Sequence, residues 1–164
     1  MALEPDALIG VARTLAAGGN AGSPSVTTDT ELRRAVSCAY YAIFHTLCRA
    51  YADVMAGPHL GSQLGRDAWN MAYRSIDHGL ARSKCSDGGN MRRFGPNIQD
   101  FAGRFVELQQ RRHEADYDPG TTFTQSQVNR IIDDAEGALM GFDNAPPDEI
   151  RLFITYLTSR PRRP

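Results

Sequence analysis

The sequence contains almost no lysine. Of its 18 basic residues only Lys84 is a lysine, so 17 are arginines, and with 19 acidic residues the formal net charge is −1. This balance excludes a protein that coats nucleic acid by bulk charge, but it allows a local basic patch. Because nearly every positive charge is a guanidinium, any such patch will be suited to binding phosphate or carboxylate through paired hydrogen bonds.

Cysteine is scarce and has no metal-binding spacing. Cys38, Cys48 and Cys85 are an odd number without a Cys-x2-Cys pair, which argues against a disulfide framework and a zinc knuckle. The four histidines show no His-x3-His spacing, and neither Gly-x-Gly-x-x-Gly nor Gly-x4-Gly-Lys occurs. We therefore expect no metal, no other cofactor and no ATPase activity.

Long hydrophobic runs are also missing. No stretch approaches the roughly 20 apolar residues of a membrane-spanning helix, and the early Glu4 and Asp6 do not fit a secretion signal. The length of 164 residues, with 41% hydrophobic and 23% charged residues, is typical of one globular domain. We expect a soluble, cytoplasmic, single-domain protein with no membrane partner.

No segment alternates between apolar and polar residues, so we predict no strands. Apolar residues recur every three or four positions instead, which predicts an all-α fold, an antiparallel helical bundle of about five to six helices. Thr28-x-x-Glu31 and Thr124-x-x-Gln127 have the spacing of capping boxes. The predicted helices cover residues 4–17, 28–55, 64–83, 97–117 and 124–142, with a short last helix from 146 and a loop at 85–90.

These elements suggest three parts. Residues 1–28 form an N-terminal helix and loop, residues 29–144 form the main bundle, and residues 145–164 form a short helix and a basic tail. The helix at 28–55 is apolar on one side and rich in alanine on the other. A helix with that pattern packs on both sides, so we predict that it is central.

Two polar constellations interrupt the apolar pattern. Ser37, Tyr41, His45 and Arg49 follow one another at four-residue steps along the central helix, next to its apolar stripe. The second constellation lies at the end of the helix at 97–117. There the projected inward face reaches Arg112, and we expect Asp116 to pair with it because a buried guanidinium without a partner is costly. Spacing alone fits a functional site and a purely structural role equally well. In the structural role, the His and Tyr are packing residues at the edge of the core, and the Arg–Asp pair stabilises the end of its helix.

The segment Ala39-Tyr40-Tyr41-Ala42-Ile43-Phe44-His45, followed some seventy residues later by Arg112-x-x-Ala115-Asp116-Tyr117, resembles the HEPN superfamily, in particular its small stand-alone prokaryotic members. The similarity extends over roughly residues 29–144. It implies an antiparallel helical bundle that usually forms a homodimer. Many members are toxins or defence proteins that act on RNA.

The resemblance also implies a chemistry. Catalytic HEPN proteins are metal-independent ribonucleases in which an Arg holds the phosphate and a His, separated from the Arg by four to six intervening residues, helps to move a proton at the ribose 2′-hydroxyl. In this chain no histidine follows His113, so the family's pair is incomplete. The catalytic candidates are Arg112, His113, His45 and Asp116. The candidates for binding RNA or a nucleotide are Arg111, Ser37, Tyr41 and Tyr117.

The sequence is also compatible with two other functions. A non-catalytic HEPN dimer would bind a nucleotide, an RNA or a partner protein, such as a nucleotidyltransferase antitoxin that modifies Tyr117. A purely structural dimerisation domain is the third possibility, although charge is unevenly spread. Residues 74–113 carry a net charge of +4, and residues 114–149 carry −8. Such polarity fits either a phosphate-binding region or complementary subunits.

Overall fold

The computed structural model describes residues 4–18, 27–57 and 61–159. Within these ranges every regular element is a helix, and no strand occurs, so the prediction of an all-α fold is confirmed. The helices number eight in this part of the chain rather than about five to six. They are α1 Pro5–Ala16, α2 Asp29–Ala56, α3 Gln63–Tyr73, α4 His78–Cys85, α5 Gly88–Met91, α6 Pro96–Tyr117, α7 Gln125–Asp143 and α8 Pro147–Thr158.

Two aspartates account for the additional helices. Asp77 accepts a hydrogen bond from the backbone N–H of Leu80 at 2.7 Å and caps α4, which divides the helix predicted at 64–83 into two. Asp87 accepts from Asn90 N–H at 3.2 Å and caps the single turn of α5, inside the predicted loop at 85–90. Apolar periodicity continues across such caps and therefore does not reveal them.

Both predicted capping boxes are present. Thr28 Oγ1 accepts from Glu31 N–H at 3.2 Å, and the Glu31 carboxylate accepts from Thr28 N–H at 2.7 Å. Thr124 and Gln127 make the equivalent pair of hydrogen bonds at 3.3 and 2.8 Å. These contacts satisfy amides that the first turns of α2 and α7 would leave without partners.

Helix α2 lies at the centre of the bundle, as its two-sided pattern predicted. It packs against α1, α3, α6, α7 and α8. Its fully buried Tyr40 ring lies 5.9 Å from Phe105 of α6, centroid to centroid. Ser37 and Tyr41 of α2 contact Asp116 and Arg112 of α6 respectively, so the two helices run antiparallel.

The ends of the chain are only partly described. α1 packs against α2 and α7, and α8 packs against α2 and α4, while the division at residues 28 and 144 stays a prediction. Most of the loop predicted at residues 18–27, and the predicted basic tail with Arg160, Arg162 and Arg163, lie outside the described residues. None of the helices in the described ranges combines the length and apolar character that crossing a bilayer requires.

Candidate functional site

The polar stripe of α2 faces the end of α6 and forms a site with it. Ser37 donates a hydrogen bond of 2.7 Å to Asp116 Oδ1, and one turn further along α2 the Tyr41 hydroxyl accepts from Arg112 Nη2 at 3.1 Å. The four-residue step on α2 thus matches a four-residue step on the antiparallel α6. We call the following set the polar cluster: Ser37, Tyr41 and His45 of α2, Tyr73 of α3, His78 of α4, and Arg112 and Asp116 of α6.

Arg112 has the most contacts in the polar cluster. Its Nε lies 2.6 Å from Asp116 Oδ2, in an ion pair whose geometry is not that of an aligned hydrogen bond. Its guanidinium carbon lies 5.6 Å from the ring centroid of Tyr41 and 5.5 Å from that of Tyr117, within the range of cation–π attraction. Burial acts to lower the pKa of Arg112, but Tyr41, Asp116 and Tyr117 outweigh it and raise the pKa. The guanidinium therefore stays charged.

His45 extends the polar cluster toward α3. Its Nδ1 lies 2.7 Å from the Tyr73 hydroxyl, and the two rings stack with centroids 5.7 Å apart. Partial burial lowers the pKa of His45, and the nearby His78 lowers it further. The imidazole is thus held in its neutral form at pH 7, and a neutral imidazole is the form that can accept a proton.

His78 belongs to the polar cluster, although the sequence analysis did not predict it as a site residue. It is the first residue of α4, its Nδ1 lies 2.6 Å from the Tyr40 hydroxyl, and one face of its ring stacks on Phe44 at 3.6 Å. Desolvation lowers the pKa of His78 and Arg112 lowers it further, while Asp77 acts in the opposite direction. No spacing motif joins His78 to α2 or α6, because the contact depends on where the Asp77 cap starts α4.

Arg33 was not predicted as a site residue either, although its spacing from Ser37 indicates that it belongs to the same stripe. It lies four residues before Ser37 and therefore on the same stripe of α2. Its guanidinium donates to the carbonyls of Ala115 at 2.9 Å and Asp118 at 3.0 Å, donates to the carbonyl of Thr121 as well, and pairs with Asp29. A cation at the C-terminal carbonyls of a helix satisfies acceptors that the helix leaves open. Arg33 thus fixes the end of α6 that carries Asp116.

The other predicted residues lie outside these contacts. Arg111 pairs with Glu114 at 3.3 Å and lines a separate cavity of about 300 Å³ between α6 and α7. His113 is exposed, with its ring 5.1 Å from that of Tyr117. Arg49, the last residue of the predicted stripe, forms an ion pair with Glu4 at 2.5 Å. The structure therefore brings Arg112, Asp116, Ser37, Tyr41 and His45 together, and Arg111 belongs to another face of α6.

The polar cluster combines a guanidinium that can bind an anion, on Arg112, with the neutral imidazoles of His45 and His78. Arg112 Nη1 has no hydrogen-bond acceptor among the described residues, so it is available to a ligand oxygen. Across residues 4–18, 27–57 and 61–159, no three His, Cys, Asp or Glu side chains are grouped in a way that could hold a metal ion.

Compared with protein-family models, curated proteins and solved structures, the chain gives no match. The polar cluster and the two sequence motifs are therefore the features that bear on its function.

Proposed function

We propose that the protein is an RNA-directed HEPN-like protein that cleaves RNA without a metal ion, in the manner of toxin and defence ribonucleases. The observation that carries the proposal is the hydrogen bond from Arg112 to the Tyr41 hydroxyl, with the His45 ring stacked 6.0 Å from the Tyr41 ring. Arg112 also lowers the pKa of His78 on α4. These groups come from three helices and include the two functions that such cleavage needs. They are a fixed guanidinium for the phosphate and a neutral imidazole for the proton.

In the proposed reaction Arg112 binds a non-bridging phosphate oxygen through Nη1. His78 is the favoured base. The reaction uses the tautomer in which His78 Nδ1–H donates to the Tyr40 hydroxyl, 2.6 Å away, so that Nε2 carries the lone pair that accepts the 2′-hydroxyl proton. The 2′-oxygen attacks phosphorus, the bond to the 5′-oxygen breaks, and that oxygen takes a proton from water or a second imidazole. The products are a 2′,3′-cyclic phosphate and a 5′-hydroxyl. Since DNA lacks the 2′-hydroxyl, it is not cleaved.

Asp116, Ser37 and Tyr41 have positioning roles in this proposal. Asp116 is held by Ser37 on one oxygen and by Arg112 on the other, at 2.7 and 2.6 Å. The carboxylate thus fixes the direction of the guanidinium before substrate arrives, which reduces the cost of ordering it. The HEPN resemblance adds a homodimer to the proposal, in which a second copy completes the cleft around the polar cluster.

A cleavage assay in EDTA tests the assignment of the base. Single-stranded RNAs of varied sequence are incubated with wild type and with His78→Ala, His45→Ala and His113→Ala. Loss of a general base typically reduces the rate by about 10²- to 10⁴-fold, and we expect that loss for His78→Ala. If His45→Ala or His113→Ala shows the large loss and His78→Ala does not, the base is reassigned to that histidine. If no RNA is cleaved by wild type, the catalytic proposal is dropped.

A second candidate function is supported by two observations. Asp116 already neutralises Arg112, and the Tyr117 side chain next to it is exposed, with 64% of its surface accessible. These features suit a non-catalytic HEPN dimer that binds a nucleotide, an RNA or a partner protein. A nucleotidyltransferase antitoxin would transfer a nucleotidyl group from a nucleoside triphosphate to the Tyr117 oxygen and release pyrophosphate.

Mass spectrometry after co-expression with the product of the neighbouring reading frame tests this second candidate. A mass increase of one nucleotidyl group on the Tyr117 peptide supports it, and Tyr117→Phe is the matched control that must abolish the increase. An unmodified Tyr117, with the neighbouring product shown to be an active nucleotidyltransferase, contradicts it.

A further inference from the structure

A cavity of about 350 Å³ lies next to the polar cluster, between the start of α2 and the end of α6. It is lined by Thr30, Arg33, Arg34, Ala115, Asp116 and Tyr117. This volume is at the lower end of the range for small-molecule sites, which run from about 300 to 1,000 Å³. The cavity can therefore take one nucleotide of a single strand, but it cannot enclose a duplex.

The cation available in this cavity is Arg34. Arg33 already binds several carbonyls at the end of α6 and the Asp29 carboxylate, so its donors are committed. Arg34 is exposed and forms no ion pair or hydrogen bond within the described residues. The carboxylate in the lining, Asp116, is bound by Ser37 and Arg112. An entering anion therefore meets a guanidinium without a partner, and the one acidic group is already neutralised.

The aromatic side chain of the lining is Tyr117. Its ring contacts Arg112 and His113, and most of the side chain is still exposed, at 64%. An exposed aromatic ring beside a guanidinium is the combination with which proteins bind unpaired bases and the connecting phosphate. Thr30 adds a hydroxyl from the first turn of the 28-residue α2, where the helix dipole also favours an anion.

We propose that this cavity is a subsite for the nucleotide adjacent to the one held by Arg112, with its phosphate on Arg34 and its unpaired base stacked on Tyr117. The inference rests on the proposed function, since it assumes that RNA lies across Arg112. It assigns the substrate class as single-stranded RNA, because a base in a duplex has no free face to stack. Neither Arg34 nor Thr30 is part of the two sequence motifs.

Binding of a 5′-labelled, single-stranded 2′-O-methyl oligonucleotide, measured by fluorescence anisotropy over a range of salt concentrations, tests the subsite. The methylated 2′-oxygen prevents cleavage during the measurement. Removing one phosphate-binding cation is expected to lower the salt slope by about one, so Arg34→Gln should do so and weaken binding several-fold. Arg151→Gln is the matched control, because Arg151 is an equally charged, exposed side chain on α8. Tyr117→Ala should weaken binding by about 5- to 150-fold, while Tyr117→Phe keeps the wild-type affinity.

The outcomes separate the subsite from the function it rests on. If wild type binds the oligonucleotide and Arg112→Gln weakens binding while Arg34→Gln behaves like Arg151→Gln, the subsite is wrong and the RNA-directed function stands. If Tyr117→Phe loses as much affinity as Tyr117→Ala, the stacking role is wrong. If wild type does not bind the oligonucleotide, the proposed function fails and the subsite fails with it. Thermal melting of each variant checks folding, and substitutions at the exposed positions 34, 117 and 151 are expected to change stability by less than about 0.5 kcal/mol.

Discussion

Ser37 and Asp116 join the two motif-bearing helices by a hydrogen bond of 2.7 Å between the Ser37 hydroxyl and Asp116 Oδ1. The other carboxylate oxygen, Oδ2, lies 2.6 Å from Arg112 Nε. Asp116 is thus held from α2 and from its own helix at the same time. This arrangement sets the direction of the Arg112 guanidinium, on which every proposal for the site depends.

Replacing Ser37 should destabilise the fold as well as the site. In Ser37→Ala one oxygen of a mostly buried carboxylate loses its donor, and such a loss typically costs about 1–3 kcal/mol. Urea denaturation measures the change in the free energy of unfolding. The control is Ser83→Ala on an exposed position of α4, where little change is expected. Equal effects of the two substitutions would show that the Ser37 hydrogen bond contributes nothing to stability.

Arg33 and Arg34 form a matched pair for a second stability measurement. Arg33→Gln removes a guanidinium that binds the carbonyls at the end of α6, and hydrogen bonds to charged groups contribute about 1.5–3 kcal/mol each. Because the backbone there is partly accessible to water, we expect a net loss of about 2 kcal/mol. Arg34→Gln removes the same charge from the neighbouring exposed position and should be nearly neutral. Should Arg34→Gln prove the more destabilising, Arg33 does not anchor α6.

Much of this architecture could be predicted from the sequence, and the exceptions have physical causes. The central helix, the capping boxes of α2 and α7, and the pairing of Arg112 with Asp116 follow from spacing along single helices. The contact between Ser37 and Asp116 joins two helices and does not follow from such spacing. His78 could not be found in that way, because its place beside Tyr40 depends on a helix start within a segment of continuous apolar periodicity. Arg111 was predicted to bind together with Arg112 because the two are adjacent at the end of the same helix, although neighbours on a helix point about 100° apart.

Stability should decrease as the pH is lowered, over a range set by the pKa values of the two histidines of the polar cluster. Burial lowers the pKa of both His45 and His78 in the folded state, and Arg112 adds to the effect on His78 while Asp77 opposes it. The unfolded chain, with histidine pKa values near about 6.5, then binds more protons, so stability is fully present above that pH and is lost as the pH falls below it. Urea denaturation between pH 5 and pH 8 measures this slope.

His78→Gln isolates the contribution of one histidine to that slope. The variant carries no group that titrates at position 78, so the fall in the free energy of unfolding below about pH 6.5 should be smaller than in wild type. An unchanged slope would mean that His78 has the same pKa in the folded and unfolded states. That result would contradict the lowering of its pKa expected from the packing of its ring on Phe44.

The central claim is that Arg112 acts on RNA, and cleavage of single-stranded RNA in EDTA by wild type and Arg112→Gln tests it most directly. A glutamine keeps much of the side-chain length and removes the charge that binds phosphate. The account predicts that wild type cleaves RNA to 2′,3′-cyclic phosphate ends, leaves the all-deoxy strand intact, and loses about 10²-fold or more of its rate in Arg112→Gln. Cleavage that continues at the wild-type rate in Arg112→Gln, or RNA left intact by folded wild-type protein at every pH between 6 and 8, would contradict it.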